Sequence, residues 1–280
     1  MAGTAVITGA DGGMGMEITR AVARAGYRII MVCLDEINGH EARDIIVRET
    51  GNEDIEVRQC DLSSLDEVRG LAEGIKATER GIDLLMNNAG TMQERRVRTA
   101  DGFEKTVAVN YLAPVLLTER LLPLMHRGSR VVFMVSLSAD WGSLSYPDFY
   151  ASGRRGAYWR ILVYSNTKLA LSLHLLRLSR RLAERGIAVN GADPGIVSTA
   201  MIRMNMWFDC ITDAIYRPII RTPLEGADTA IHLLLSEEME GLSGGIYHSR
   251  KRKRLGRKYS EEPQEELWGH TERLLASVLQ

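Results

Sequence analysis

Hydrophobic residues follow two alternating patterns along this chain. Short apolar, β-branched runs are typical of buried strands, and segments with a helical period lie between them. The predicted strands cover residues 4–8, 28–33, 55–60, 83–87, 130–136, 187–192 and, more weakly, 245–248. The predicted helices include residues 14–25, 64–79, 103–126 and 165–184. This alternation predicts an α/β fold, with a doubly wound parallel sheet and helices on both faces in three α/β/α layers.

Two segments interrupt this rhythm. Residues 141–163 are aromatic and irregular, and residues 199–222 are rich in Met, Trp, Phe and Ile. Both follow predicted strands at their carboxyl ends, which is the edge where open α/β sheets bind ligands. Because no linker, repeat or low-complexity stretch separates the elements, we expect one domain over residues 1–280, with a C-terminal extension from about residue 249.

The composition argues against a nucleic-acid-binding, membrane-spanning or disulfide-rich protein. The formal net charge of −1 gives no overall field toward nucleic acid or an anionic membrane. No apolar run approaches the ~20 residues of a bilayer span, and the N-terminus lacks a signal-peptide pattern. The cysteines Cys33, Cys60 and Cys210 are few and far apart. This favours a reducing cytoplasm, and no metal-ligand spacing is present.

A glycine-rich turn follows the first predicted strand. Gly9, Gly13 and Gly15 are separated by three residues and one residue, and a predicted helix begins there. Glycines let a diphosphate approach the backbone, and the helix N-terminus offers free N–H groups and positive potential. The further candidate contacts to this ligand are Asp11, Gly12 and Met14 in the turn, Asp61 and Leu62 after the third strand, and Asn88, Ala89 and Gly90 after the fourth.

Tyr164 and Lys168 are candidates for proton transfer. Their i, i+4 spacing puts both side chains on one face of a predicted helix. A phenol is a weak base at neutral pH, and a nearby ammonium favours the phenolate and lowers the pKa of the tyrosine. Tyr247 and Lys251 repeat the spacing, but they lie at a strand end that enters a basic loop, so we do not assign them a role.

One ordered set of motifs runs along the chain. It consists of the glycine turn, residues 87–90, Asn110, a serine that ends the fifth predicted strand, Tyr164 with Lys168, and Pro194 with Gly195. This set closely resembles the short-chain dehydrogenase/reductase family over nearly the whole chain. Residues 222–227 and 243–245 resemble its retinol-dehydrogenase-like branch. The resemblance implies a Rossmann-type fold and a nicotinamide-dependent oxidoreductase acting on CH–OH groups.

The resemblance also implies roles for single residues. Tyr164 is then the general acid/base, Lys168 tunes it and binds the nicotinamide ribose, and Asn110 holds a water that links Lys168 to solvent. Ser136 stabilises the substrate oxygen, with Ser138 as the alternative. The residues implied for the nicotinamide carboxamide are Pro194, Gly195, Val197 and Thr199.

The end of the second strand bears on the choice between NAD and NADP. Cys33 stands where an acidic residue would bind the ribose, Leu34 stands where phosphate-binding relatives carry Arg, and Asp35 follows. The absence of a basic side chain, with Asp11 nearby in the turn, favours NAD over NADP.

The substrate is expected to be a hydrophobic alcohol or its ketone or aldehyde, such as a steroid, retinoid or lipid. The family places a substrate lid at residues 199–222, and the methionines there suit an irregular apolar cavity. Core packing or a subunit contact is the other interpretation, and a homo-oligomer stays open. An acyl-carrier-linked 3-ketoacyl reductase and a non-catalytic nicotinamide sensor are the alternative functions.

Residues 250–258 contain seven basic residues in nine. We interpret this run as a solvated loop next to acidic residues, and contact with acidic lipid head groups is a less favoured alternative.

Overall fold

A single twisted sheet organises the molecule. The computed structural model describes residues 3–146, 149, 158–197 and 221–279. Within these residues the strand order is β3-β2-β1-β4-β5-β6-β7-β8, with β1 to β7 parallel and β8 antiparallel to β7. The strands are β1 (Thr4–Thr8), β2 (Arg28–Cys33), β3 (Ile55–Gln59), β4 (Ile82–Asn87), β5 (Met125–Met134), β6 (Ala188–Asp193), β7 (Gly245–His248) and β8 (Lys251–Arg252).

Helices cover both faces of the sheet. The helices are α1 (Gly13–Arg24), α2 (Glu36–Thr50), α3 (Leu65–Thr78), α4 (Lys105–Val107), α5 (Ala113–Leu121), α6 (Arg160–Arg181), α7 (Pro223–Leu235) and α8 (Glu261–Leu279). One buried cluster packs α3, α5 and α6 against the sheet, and a second packs α1, α2 and α7 against it. The predicted doubly wound, three-layer fold is confirmed.

The predicted helix over residues 103–126 differs most from the structure. It is divided into α4, a π-helical segment at Ala108–Leu112, α5 and a 3₁₀ turn at Leu122–Leu124. Its last residues already belong to β5, which begins at Met125. The apolar residues run on without a break, so the pattern alone shows neither the change of helix type nor the start of the strand.

The same region corrects the expectation about apolar length. Residues Lys105–Leu124 have a mean hydropathy of 1.2 and are long enough to span a bilayer. However, 78% of the apolar window is buried inside the fold. A mostly buried core helix passes the same test of length and composition, so this stretch is weak evidence for a membrane span.

The strand order reverses between β1 and β4. In chain order the sheet first grows from β1 through β2 to β3, and then from β4 outward on the other side. At such a reversal the connections leave β1 and β4 in opposite directions, and a crevice opens at their carboxyl ends. The glycine-rich turn and residues 88–90 therefore lie on the two sides of one crevice.

Candidate active site

The glycine-rich turn depends on close backbone packing. Gly9 and Gly13 have φ angles of +60° and +51°, a region that favours glycine. A Cβ on Gly15 would lie 1.8 Å from the carbonyl oxygen of Gly9 and 2.8 Å from Nδ2 of Asn88. Only a residue without a side chain lets α1 begin this close to β1.

The N-terminus of α1 suits an anionic ligand. Its N-cap, Gly12, offers no side chain, and the first turn holds no acidic residue. The first-turn N–H groups therefore have no side-chain acceptor in α1 itself, and the helix dipole adds positive potential there. A diphosphate fits this arrangement.

Asn88 connects the two sides of the crevice by hydrogen bonds. Its Nδ2 donates to the carbonyl oxygens of Thr8 and Gly9, at 3.0 Å each. The Thr8 hydroxyl oxygen accepts from the backbone N–H groups of Asn88 and Ala89, at 3.0 and 3.1 Å. Oδ1 of Asn88 is buried and has no hydrogen-bond partner among the described residues. An unpaired acceptor at this position is suited to a donor on a bound cofactor.

Asp35 and Asp61, which are predicted to lie near the adenosine half of the cofactor, make hydrogen bonds within the protein. Oδ1 of Asp35 accepts from the backbone N–H of Asn38 at 2.9 Å and caps α2. One oxygen of this carboxylate therefore caps the helix, and the contact of Asp35 with the cofactor stays a prediction. Oδ1 of Asp61 accepts from the backbone N–H of Ser63 at 2.8 Å, which forms a local turn.

Cys33 pairs with Asp11 across this end of the crevice. Burial raises the pKa of the Cys33 thiol to about 12, and the charge and hydrogen bond of Asp11 act in the same direction. Leu34, in contrast, has 62% of its surface exposed. Residues 33–35 contain no basic side chain. A 2′-phosphate would need a cation at this position, but the side chains present there include a neutral thiol and an exposed aliphatic group.

Tyr164 and Lys168 lie one turn apart on α6, as predicted. The Lys168 Nζ is 5.5 Å from the centre of the Tyr164 ring and donates to the carbonyl oxygen of Met134 at 2.7 Å. Burial lowers the pKa of Lys168 to about 8, although the charge of Asp193 opposes this shift. The amine is therefore close to its titration point under physiological conditions.

Ser136 is the serine that faces Tyr164. Burial raises the pKa of the Tyr164 phenol to about 12, and the hydrogen bond with the Ser136 hydroxyl acts in the opposite direction. The sequence-based expectation was a lowered pKa, and the shift has the opposite sign because burial penalises the phenolate. At neutral pH the phenol keeps its proton, and it can donate that proton to a carbonyl oxygen.

Ser138 lies within hydrogen-bond distance of Ser136. Its backbone N–H and its hydroxyl both lie within hydrogen-bond distance of the Ser136 Oγ, at 3.2 and 3.1 Å. The hydroxyl that reaches the phenol is therefore that of Ser136, and Ser138 holds it in orientation.

Asn110 lies in the π-helical segment and is buried. Its Oδ1 accepts from the backbone N–H of Thr91 at 2.7 Å. Its Nδ2 lies 2.8 Å from the Thr91 carbonyl oxygen and 3.2 Å from the Thr167 hydroxyl oxygen. Because Thr167 adjoins Lys168, the amide ties the loop after β4 to the helix of the proton-transfer pair. Single π-helical turns occur frequently at functional sites. The water-holding role of Asn110 stays a prediction.

The turn after β6 is shaped by polar contacts. Gly195 has a φ of +75°, and its N–H donates to Oδ1 of Asp193 at 3.0 Å. Arg221 donates to the Pro194 carbonyl oxygen at 3.2 Å. Val197 is buried, and both it and the Met14 sulfur lie within 3 Å of where a Cβ on Gly226 would be. Thr199 and most of the predicted lid lie outside the described residues.

The basic run is partly folded against the site. Arg250 pairs with Asp228, and the Lys253 ammonium pairs with Asp140 at 2.6 Å. Lys258 donates to the carbonyl oxygens of Asp140 and Gly142, at 2.6 and 2.8 Å. The interpretation as a simple solvated loop is therefore incomplete, because Lys253 and Lys258 hold the segment that follows Ser136.

The second tyrosine–lysine pair has strand geometry. Tyr247 lies in β7 and Lys251 in β8, and the two strands pair in a hairpin. The i, i+4 spacing brings side chains together on a helix but not across a hairpin turn, so the pair makes no counterpart of Tyr164 and Lys168.

Two residues near the site, Asp193 and His248, were not predicted from the sequence. The predicted sixth strand ended at Ala192, one residue before the carboxylate. A charged side chain at the end of an apolar strand, directly before Pro194 and Gly195, is the signal that would have identified Asp193. Nothing in the sequence connects Asp193 with His248.

The family comparison agrees with this geometry. A model of the short chain dehydrogenases matches residues 3–206 of the 280. The match includes the glycine turn, Ser136, Tyr164 and Lys168, and it covers more than half of the chain. The chain belongs to the short-chain dehydrogenase family. The resemblance seen in the sequence is thereby confirmed.

Curated relatives place this short-chain dehydrogenase in the retinol-dehydrogenase-like branch, as predicted. It is 35% identical to human retinol dehydrogenase 12 over 266 residues, which cover 94% of this chain and 83% of that protein. It is 35% identical to mouse polyprenol dehydrogenase over an alignment of 280 positions, gaps included, that covers 96% of this chain and 83% of that protein.

Solved structures of this family are similar over most of the chain. An uncharacterised protein from Mycobacterium paratuberculosis has a TM-score of 0.76 and 29% identity, covering 98% of this chain and 93% of its own. A protein assigned as an NAD(P)-dependent gluconate 5-dehydrogenase from Beutenbergia cavernae, with bound NADP at low occupancy, has a TM-score of 0.69 and 25% identity. That alignment covers 88% of this chain and 94% of the other. This short-chain dehydrogenase is therefore an oxidoreductase that uses NAD(P).

Proposed function

We propose that this protein interconverts a hydrophobic, lipid-like alcohol and its aldehyde or ketone, with Tyr164 as the general acid/base. The observation that carries the proposal is the meeting of Ser136, Tyr164 and Lys168 at the carboxyl edge of the sheet, beside an uncapped helix N-terminus. A proton donor, a hydrogen-bond donor and an ammonium group next to a diphosphate-binding turn fit hydride transfer between a nicotinamide and a carbonyl carbon.

Each polar group has one task in this scheme. The nicotinamide, when bound, supplies or accepts the hydride. In reduction the Tyr164 hydroxyl donates its proton to the carbonyl oxygen, and in oxidation the phenolate takes the proton from the alcohol. The Ser136 hydroxyl donates a hydrogen bond to the same oxygen, where negative charge develops in reduction. Lys168 supplies positive charge that stabilises the phenolate.

The cofactor would lie across the crevice between β1 and β4. The backbone of Gly12, Gly13 and Met14 would bind the diphosphate at the start of α1, and Asn88, Ala89 and Gly90 would face the nicotinamide half. The turn at Pro194 and Gly195 would seat the carboxamide. The buried, unpaired Oδ1 of Asn88 supports this assignment, because a bound donor would satisfy it.

Two observations favour an apolar substrate. Relatives at 35% identity are named for retinol and polyprenol, which are long apolar alcohols. Leu137 and Ile196 also adjoin Ser136 and Gly195 in sequence, and 39% and 46% of their surfaces are exposed. Exposed aliphatic side chains beside the proton-transfer groups suit an apolar ligand.

A substrate screen tests this proposal. The purified enzyme is assayed at the nicotinamide absorbance with retinoid, polyprenol and steroid alcohols and carbonyls, with short polar alcohols, and with an acyl-carrier-linked 3-ketoacyl substrate. We expect kcat/KM to be at least about tenfold higher for the best long apolar substrate than for its short polar analogue, because each buried CH₂ contributes ~0.8 kcal/mol. Turnover of only the polar alcohols, or of only the acyl-carrier substrate, would contradict the proposal.

Leu34 offers a test of cofactor preference. We propose NAD as the favoured cofactor, because the described residues at the end of β2 provide no cation for a 2′-phosphate. Leu34→Arg should raise the ratio of NADP to NAD affinity by about tenfold, since a charged hydrogen bond contributes ~1.5–3 kcal/mol. The ratio is measured by titrating both cofactors into wild type and variant.

The matched control for that variant is Leu242→Arg. Leu242 is also an exposed leucine, at 48%, but it precedes β7 and lies at the opposite edge of the sheet. Its replacement adds the same charge far from the crevice and should leave the ratio unchanged. Equal shifts in both variants would show that only net charge changes the cofactor ratio.

The cytoplasmic location and any homo-oligomer stay predictions.

A further inference from the structure

A buried carboxylate lies behind the proton-transfer pair. Asp193 ends β6 and is 1% exposed. It pairs in register with His248 at the end of β7, and Oδ2 of Asp193 lies 3.7 Å from Nδ1 of His248. Lys168 reaches the same end of the sheet, because its Nζ donates to the Met134 carbonyl oxygen at 2.7 Å and Met134 pairs in register with Ala192, the residue before Asp193. The charge of Asp193 acts on both Lys168 and Tyr164. The carboxylate is thus near the proton-transfer pair and faces an imidazole.

The facing atoms of this pair are otherwise unpaired. Oδ2 of Asp193 and Nδ1 of His248 are both buried and have no hydrogen-bond partner among the described residues. Leaving a buried charged group unsatisfied is costly, so a carboxylate at this position needs compensating charge. The His248 imidazole faces the carboxylate at 3.7 Å and can supply positive charge when it is protonated.

We propose that Asp193 and His248 form a carboxylate–imidazole pair that acts on Tyr164 and Lys168 through the charge of Asp193. Asp193 is a positioning residue in this scheme, because it acts through Tyr164 and Lys168. The inference rests on the proposed function for its meaning in catalysis, but the charge effect on Lys168 can be measured without turnover.

The direction of the effect follows from the sign of the charge. A carboxylate near an amine favours the ammonium form, so Asp193 raises the pKa of Lys168 against the lowering by burial. The same carboxylate disfavours the phenolate and raises the pKa of Tyr164. Asp193 thus keeps protons on both groups and favours the form of the site that donates a proton to a carbonyl.

The carboxyl group of Asp193 is itself balanced by its neighbours. Burial raises its pKa, and the Gly195 N–H, His248, Lys253 and the Leu137 N–H lower it. Among the described residues, the titratable side chains that interact with it are His248 on β7, Tyr164 and Lys168 on α6, Lys253 after β8 and Tyr259 before α8. If these neighbours lost positive charge, Asp193 would take up a proton more readily. A neutral Asp193 would no longer favour the ammonium form of Lys168.

Asp193→Asn separates charge from shape. Oδ1 of Asp193 accepts the Gly195 N–H, and an asparagine oxygen keeps that bond and the turn. We expect Lys168, whose pKa is about 8, to titrate about one pH unit lower in this variant. The shift is measured on the cofactor-free protein by ¹³C NMR of the lysine side chains, with Lys168→Arg for assignment. An unchanged Lys168 titration in a folded variant would overturn the proposal.

A matched control removes a different carboxylate. Asp228 pairs with Arg250 at the surface of α7, so Asp228→Asn deletes the same charge away from the site. It should leave the Lys168 titration in place. An equal shift in this control would show that net charge, rather than the Asp193–His248 pair, moves the titration of the amine.

His248→Asn tests the partner and remains informative if Asp193→Asn does not fold. The asparagine amide can face Asp193 but cannot become cationic, so removing the imidazole should change the Lys168 titration only through Asp193, and by less than Asp193→Asn does. The double variant should show no shift beyond that of Asp193→Asn alone. A rise in the Lys168 pKa, or additive shifts, would mean that His248 acts directly on the amine and would overturn the pairing.

The activity measurement links the pair to catalysis. In Asp193→Asn the pH profile of kcat/KM for alcohol oxidation should move by about one unit toward lower pH, because the phenolate forms more easily. A wild-type enzyme that turns over no substrate would refute the proposed function and leave the NMR result intact. Turnover with an unmoved pH profile and an unmoved Lys168 titration would refute the role of Asp193 alone.

Discussion

Tyr164→Phe is expected to lower kcat/KM in both reaction directions by about 10³-fold or more. The substitution removes one hydroxyl and keeps the ring, so the packing of α6 should persist. It deletes the proton that the substrate oxygen must gain or lose, together with the hydrogen bond to Ser136. Positioned proton transfer typically contributes 10²–10⁴-fold, which sets the expected loss. The measurement is steady-state kinetics with the best substrate of the screen, at several pH values.

Cofactor binding gives the second measurement for this variant. The hydroxyl is placed at the reacting carbon rather than at the diphosphate, so the Kd for NAD(H) should stay within about threefold of wild type. Variant and wild type that both bind cofactor and both lack turnover would favour the nicotinamide-sensor alternative. A variant that keeps more than about a tenth of the activity would show that another group transfers the proton.

Tyr247→Phe is the matched control. Tyr247 belongs to the other tyrosine–lysine pair and is also largely buried, but it lies in β7 of the hairpin. The same chemical deletion there should leave kcat/KM within about threefold. Comparable losses in the two variants would point to a general effect on the fold and would remove Tyr164 from its assigned role.

Gly15→Ala is expected to destabilise the protein by roughly 2–4 kcal/mol and to weaken cofactor binding by at least about 100-fold. The added Cβ would lie 1.8 Å from the Gly9 carbonyl oxygen, which is a backbone atom and cannot rotate away. To relieve the clash, α1 must move away from the end of β1. That movement displaces the N–H groups assigned to the diphosphate. Denaturant unfolding gives the loss of stability, and titration with NAD(H) gives the loss of affinity.

Gly12→Ala distinguishes folding from binding. Gly12 has a φ of −156°, which any residue adopts, and a Cβ there would meet no atom within 4 Å. We expect the free energy of unfolding to stay within about 0.5 kcal/mol of wild type. The cofactor affinity should nevertheless fall, because the methyl group would occupy space next to the proposed diphosphate.

A second control excludes a general effect of replacing glycine. Gly70 lies inside α3, and its Cβ would also meet open space. Gly70→Ala should leave binding unchanged and stabilise the helix by about 0.5–1 kcal/mol. If Gly15→Ala were as stable as either control, the close approach of α1 to β1 would not be what fixes this glycine.

The strands of the sheet could be predicted from the sequence, because burial on both faces requires a continuous apolar pattern. Strands covered on both faces must be apolar throughout, and the helices between them must be apolar on one side, so all seven predicted strands are present in the structure. Boundaries were less certain, as the passage from α5 into β5 shows, because apolar residues continue through both elements. The two-residue strand β8 carries no apolar signal, since Lys251 and Arg252 are charged and exposed.

Motif residues were identifiable where chemistry restricts the residue type at a fixed spacing. The glycine turn, Asn110, and Tyr164 with Lys168 are of this kind, because a turn, a buried amide and an i, i+4 pair depend on local sequence. The choice between Ser136 and Ser138 was not local. It depends on which hydroxyl the loop after β5 turns toward α6, and the structure places Ser136 there.

By itself, therefore, the sequence determined the class of fold and the family, and it predicted the proton-transfer pair, since each depends on residue types and short spacings. The tertiary structure alone decided the electrostatics of that pair. Burial raises the pKa of Tyr164 and lowers that of Lys168, and both shifts arise from the low-dielectric interior that the folded chain creates. The pairing of Asp193 with His248 was also decided there, because 55 positions of chain separate two residues that become neighbours only when β6 and β7 pair.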